Sequence, residues 1–162
     1  MKELNLEAGR EVALRFLGVS ARSRSEIERR LQRDEFPVDV IEQVIGEMEA
    51  LGYLNDEQFA KDWIADRADR KRYGKTRLAA ELSRKGIERD VAKEALASID
   101  PDDEAARARK AAEAKWDRDA LATLDIGQLQ AEKRRITSFL QRRGFSWQTI
   151  TKVLADLTVN KE

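Results

Sequence analysis

Lys75-Thr76-Arg77-Leu78-Ala79-Ala80-Glu81-Leu82-Ser83-Arg84-Lys85-Gly86-Ile87 returns 58 residues later as Lys133-Arg134-Arg135-Ile136-Thr137-Ser138-Phe139-Leu140-Gln141-Arg142-Arg143-Gly144-Phe145, with basic, apolar and glycine positions held. A fainter copy runs from Arg24 through Leu31 to Phe36. Recurrence at such spacing marks a tandem array of one helical unit. The expected organisation is an acidic first repeat over residues 1–53, a basic second over 54–99 and a basic third over 100–162.

Period and punctuation work outward from these phrases. Asn5 caps a first helix over Glu7–Leu17, and Ser23-Arg24-Ser25-Glu26 has capping-box spacing before a second helix ending near Arg33. Pro37 opens a third, which Gly52 stops. Asn55-Asp56-Glu57 starts a long helix that Gly74 is expected to break, followed by helices over Lys75–Lys85 and Glu88–Ile99 with Gly86 in the turn. Asp100-Pro101-Asp102 opens the third unit to about Trp116. After a loop over 117–127, helices over Gln128–Arg143 and Ser146–Leu157 flank Gly144. The expectation is an all-α chain of nine helices: three tandem three-helix repeats, each a long helix plus a helix-turn-helix-like pair, elongated and curved.

Composition narrows the function classes. Charged residues make up 38% and aliphatic plus aromatic ones 41%, with 8 Gly and 2 Pro, a helix-rich mixture with enough apolar residues for modest cores. No Cys and no His removes Cys/His zinc sites, thiol nucleophiles and imidazole bases. No metal, cofactor or catalytic constellation is expected. There is no apolar run of membrane-spanning length, and Met1-Lys2-Glu3-Leu4 leads into a charged amphipathic helix, so a cytoplasmic location is expected.

Net charge is zero but unevenly spread. Residues 1–60 carry 8 basic and 13 acidic side chains, residues 67–89 carry 9 and 3, and residues 133–143 carry five basic and no acidic ones. Arg77 and Arg84, seven residues apart, share a face away from Leu78 and Leu82; Arg135 and Arg142 match them opposite Ile136 and Leu140. The first unit has Glu26 and Arg33 at those positions, and Asp34 where the second has Lys85. Glu81 can neutralise its basic neighbours in the second unit, whereas the third is expected to lack such pairing. Arg67, Arg70, Lys71, Arg72, Lys75, Arg77, Arg84, Lys85, Lys133, Arg134, Arg135, Arg142 and Arg143 are therefore the candidate binding residues, suited to phosphates or an acidic protein groove.

Other motifs have simpler readings. Gly74-Lys75-Thr76 ends like a P-loop, but position 69 is Asp and a charged helix precedes it. Asp100, Asp102, Asp103 and Glu104 at a helix start read as caps. Trp63 and Trp116 continue apolar faces and read as core; Trp147, in a first turn, is open to a contact role. The second helices of the pairs carry Glu42, Glu47, Glu49, Glu94 and Asp156 and very few arginines, which argues against a sequence-reading helix-turn-helix regulator. A helical-repeat adaptor is the remaining alternative.

Ser23-Arg24-Ser25-Glu26-Ile27, Leu51-Gly52-Tyr53-Leu54-Asn55-Asp56 with Phe59-Ala60, Tyr73-Gly74-Lys75, Lys85-Gly86-Ile87 and Arg142-Arg143-Gly144-Phe145-Ser146 together resemble the bacterial RecX family over essentially the whole chain. The resemblance implies a non-enzymatic regulator of the RecA recombinase; a monomer is expected because the repeats account for the apolar residues without a partner. Its implied partners are RecA and RecA filaments on single-stranded DNA. Such a protein lies in the filament groove and restrains filament growth, strand exchange, ATP hydrolysis and coprotease activity, and weak direct DNA binding is compatible with its basic faces.

Overall fold

The computed structural model describes residues 4–116 and 118–159. These form ten helices and no strand: α1 (Leu6–Val19), α2 (Arg24–Arg33), α3 (Val38–Ala50), α4 (Asp56–Lys71), α5 (Lys75–Arg84), α6 (Arg89–Ala97), α7 (Pro101–Glu113), α8 (Arg118–Leu121), α9 (Ile126–Arg142) and α10 (Trp147–Val159). The expected loop over 117–127 contains the extra helix, α8, with Asp117 outside the described residues. One turn suffices to carry buried Leu121 into an apolar cluster, which a count of turn-forming residues misses.

Local chemistry sets most helix ends. Asn5 accepts from the Ala8 N–H, Asn55 from Gln58, and Asp100 from Asp102 with Pro101 in the first turn. Ser23 with Glu26 and Asp125 with Gln128 form reciprocal capping boxes. Gly52, Gly86 and Gly144 take left-handed φ of 78°, 74° and 85° just past α3, α5 and α9. Two expectations need correction. Pro37 sits at the N-cap of α3, one residue earlier than expected. α4 ends at Lys71, three residues before the expected break at Gly74, and the left-handed residue that follows it is Arg72, at φ 52°.

The chain forms two compact units, Met1–Trp63 with Leu82–Lys93, and Ile64–Glu81 with Glu94–Glu162. In the first, Val12, Ile27, Leu31, Phe36, Val44, Ile45 and Met48 belong to one apolar cluster built on α1, α2 and α3. In the second, Ala108, Ala111 and Ala112 of α7 pack with Trp116, Ile136, Leu140, Phe145, Ile150 and Val153. Each fully buried Leu or Ile contributes about 1.5–3 kcal/mol. The basic phrases keep their apolar positions inside: Leu78, Leu82, Ile136 and Leu140 are all 0% exposed.

Each unit contains one junction of the same design. In the first, the end of α5 meets the start of α2: the Ser23 hydroxyl donates to the Lys85 carbonyl at 2.5 Å, and Lys85 Nζ donates to Glu26 at 2.8 Å while lying 4.8 Å from the Trp63 ring centre. A Cβ on Gly86 would fall 2.2 Å from Ser25 Oγ. In the second, the end of α9 meets the start of α5: the Gly74 N–H donates to the Arg143 carbonyl at 2.8 Å and the Thr76 N–H to the Gly144 carbonyl at 3.1 Å. A Cβ on Gly144 would fall 2.3 Å from the Arg77 nitrogen. The repeated basic-basic-glycine phrase is thus the docking end of a helix, and its glycine lets another helix start approach.

A carboxylate completes each junction. Asp56 accepts the Arg24 N–H at 2.9 Å, and Glu104, only 7% exposed, accepts the Lys75 N–H at 2.9 Å. Glu104 therefore caps α5 rather than its own helix, which corrects its reading among the acids that open α7. Burial pushes the Asp56 carboxyl up from its ordinary range, helped by the nearby charges of Glu49 and Glu88, against the Arg24 N–H and guanidinium. A raised folded-state value makes ionised Asp56 a cost that is fully present at neutral pH and fades as pH falls through it. Asp56→Asn keeps an acceptor and removes the charge, so its melting temperature at pH 7 is expected to equal or exceed wild type, with the difference moving toward the wild type as pH is lowered to 4.

Ser23 offers a second measurable case. It is 0% exposed, accepts from the Glu26 N–H at 3.2 Å and supplies a donor to Lys85. Losing the cap costs about 1 kcal/mol, and depriving the half-buried Lys85 carbonyl of its donor adds about 1–2 kcal/mol. Urea denaturation of Ser23→Ala is expected to show a loss of about 2–3 kcal/mol with unchanged slope.

Candidate interaction surface

The junctions sort the thirteen basic candidates. Arg77 spans the second junction: it donates to the Arg142 carbonyl at 3.1 Å, lies 4.0 Å from the Tyr73 ring centre and sits 3.8 Å from Glu81. Arg143 donates to the Lys71 carbonyl and lies 5.6 Å and 5.0 Å from the Tyr73 and Phe139 rings. Two guanidinium groups thus share the π-face chemistry of one tyrosine, a favourable use of cations that would otherwise repel. Lys85 is held by Glu26, and Arg67 lies 3.6 Å from Glu81.

Arg135 departs from expectation. Glu132, one residue before the acid-free stretch, binds its guanidinium, and Arg135 also donates to the Lys115 carbonyl at 3.0 Å. The hydrogen bonds that Arg135 donates to the Glu132 carboxylate raise its pKa further above its usual range, so this arginine stays charged but engaged. Arg70 pairs with Asp66 at 3.0 Å, and Arg72 reaches the Lys110 carbonyl at 3.4 Å.

What is left is the free set. Among the described residues no hydrogen bond or ion pair engages the side chains of Lys71, Lys75, Arg84, Lys133, Arg134 or Arg142; Lys71, Arg84, Arg134 and Arg142 are exposed, Lys75 and Lys133 half-buried. Arg84 and Arg142 occupy the same place in their repeats, the last residue of α5 and of α9. Within each repeated helix, then, the first arginine of the pair (Arg77, Arg135) is engaged internally and the second (Arg84, Arg142) is free. Periodicity alone cannot separate them, since both lie on the face opposite the buried leucines.

The tryptophans also separate. Trp116 is buried at 7%, Trp63 is half-buried and stacked on Phe59 at 5.8 Å, and Trp147 is 64% exposed. Among the described residues no group of His, Cys, Asp or Glu is arranged to hold a metal, and no helix is long and apolar enough to cross a membrane.

Comparison with known proteins agrees with this architecture. The RecX first, second and third three-helix domains match residues 10–48, 55–96 and 102–154. The chain is 36% identical over 157 residues to the regulatory protein RecX of Mycobacterium avium (strain 104), covering 96% of this chain and 88% of that one. It is 34% identical to that of Mycobacterium tuberculosis (strain ATCC 25177 / H37Ra), covering 96% and 90%. The crystal structure of RecX from Lactobacillus salivarius superposes with a TM-score of 0.84 at 22% identity, over 95% of this chain and 97% of that one. With three consecutive domains matched and a third of its residues shared with whole-length relatives, the chain belongs to the RecX family of regulatory proteins.

Proposed function

We propose that this protein binds the RecA recombinase and its filaments on single-stranded DNA, docks in the filament groove, and inhibits filament extension, recombinase, ATPase and coprotease activities. The observation that carries the reading is the recurrence of a free, exposed arginine at the last residue of α5 and of α9, Arg84 and Arg142, in a chain of this regulatory family. A cation on a rigid helix end suits either a phosphate or an acidic protein side chain, and a nucleoprotein groove offers both. The second helices of the pairs support this over base reading, since α3, α6 and α10 expose Asp39, Glu42, Asp90, Glu94 and Asp156.

The deciding experiment is filament growth. RecA is assembled on single-stranded DNA with ATP, and extension and ATP hydrolysis are followed with and without the protein. Slower extension and lower DNA-dependent hydrolysis are expected; unchanged rates at protein concentrations equal to RecA would overturn the reading.

A further inference from the structure

We infer that Trp147 is a stacking platform for an unpaired nucleobase, with the free Arg142 and Arg134 holding the adjoining phosphates. The inference rests on the proposed role at filaments on single-stranded DNA and names how one face of the second compact unit would engage the strand. An isolated exposed tryptophan is unremarkable by itself; here its surroundings give it a ligand class. From Lys133 to Ala155 the chain carries Lys133, Arg134, Arg135, Arg142, Arg143 and Lys152 and not one acid. Along α10, Gln148, Thr151 and Lys152 follow Trp147, all exposed, and Lys152 lies 3.9 Å from Asp102 of α7.

The platform is held firmly. Gly144 donates to the Gln141 carbonyl at 2.9 Å and Phe145 to the Leu140 carbonyl at 3.2 Å, which closes the turn between α9 and α10. Phe145 is 4% exposed and Ser146 caps α10 by accepting from the Thr149 N–H at 3.2 Å. Trp147 therefore starts a fixed helix, and Arg142 ends the preceding one within about 17 Å of chain reach. Arg134, Ser138 and Arg142 follow at four-residue steps along the exposed side of α9, placing the two arginines about 12 Å apart along its axis.

The corresponding positions in the other repeats lack this combination. α3 begins with exposed Val38 beside Asp39, and α6 begins with Arg89 between Glu88 and Asp90. A cation-flanked aromatic is a surface that binds single strands, because every base has a π-face and every step a phosphate. A protein ligand would call for a broader apolar patch around the tryptophan.

The test compares the wild type with Trp147→Ala and Trp147→Phe, using a short fluorescent oligothymidine for anisotropy and the protein's own tryptophan emission for quenching. Oligothymidine is expected to quench wild-type emission and to bind Trp147→Ala about ten-fold to a hundred-fold more weakly. Trp147→Phe should lose most of the quenching while keeping affinity within about three-fold, since phenylalanine still stacks. Inorganic polyphosphate, which has no bases, should bind all three alike. Equal oligothymidine binding by the wild type and Trp147→Ala overturns the inference. If that equality comes with lost inhibition of filament growth, Trp147 touches protein instead and the functional reading survives. If oligothymidine binding depends on Trp147 while wild-type protein leaves filaments unaffected, the stacking site stands and the functional reading fails.

Discussion

Gly74→Ala is expected to lower the unfolding free energy by about 3–5 kcal/mol, read by urea denaturation, although alanine is ordinarily the better residue beside a helix. The added Cβ would lie 2.4 Å from the Gly144 carbonyl oxygen and 2.7 Å from the Phe145 nitrogen, both backbone atoms that cannot swing aside. Relieving the clash must part the end of α9 from the start of α5. That sacrifices the bonds from the Gly74 and Thr76 N–H groups to the Arg143 and Gly144 carbonyls. Two such bonds are worth about 1 kcal/mol each, and overpacking adds about 1–3 kcal/mol, a large part of an ordinary domain's stability. Gly46→Ala is the matched control: it lies within α3 with nothing within 4 Å of the new carbon, so it should stabilise by about 0.5–1 kcal/mol. Equal stabilities for Gly74→Ala and wild type would mean that the junction is not closely packed.

What the sequence disclosed and what it concealed divide by distance along the chain. Caps at Asn5, Ser23, Asn55 and Asp100 were legible because a side chain meeting a backbone N–H two or three residues ahead leaves a local pattern. The left-handed glycines after α3, α5 and α9 were legible for the same reason. The junctions join Ser23 to Lys85, Lys75 to Glu104 and Arg77 to Arg142, partners 62, 29 and 65 residues apart, and no local pattern announces them. Gly74 consequently read as a helix stop when its role is to admit another backbone.

The candidate surface was legible in kind and blurred in detail. The basic repeat pointed to the ends of α5 and α9, and free cations are found there. Yet Glu132 lies just outside the stretch counted as free of acids and binds Arg135 through an i,i+3 pairing that the sequence did contain. The i,i+4 pairing of Arg77 with Glu81 was legible, but its bond to the Arg142 carbonyl, the bond from Arg143 to the Lys71 carbonyl and the contacts of both with the Tyr73 ring were not, because those partners carry no charge that a charge map would register.

This division dictates which substitutions test function cleanly. Arg84→Glu with Arg142→Glu is expected to weaken inhibition of RecA-dependent ATP hydrolysis by about a hundred-fold or more, from two charge-assisted contacts of about 1.5–3 kcal/mol each. Thermal stability should stay near wild type, because both side chains are exposed and free and such positions usually change stability by less than about 0.5 kcal/mol. Reversing Arg77 and Arg143 should instead lower stability, since those guanidinium groups hold the second junction through the Arg142 and Lys71 carbonyls and the Tyr73 ring. Any loss of inhibition in that second pair is therefore ambiguous, whereas in the first pair it reports binding. Raising salt should weaken the wild type toward the Arg84/Arg142 variant, as exposed charges are screened over about 10 Å at 0.1 M. A folded Arg84→Glu, Arg142→Glu protein that inhibits like the wild type would show that the matched arginines are not the contact, whatever the family relationship implies.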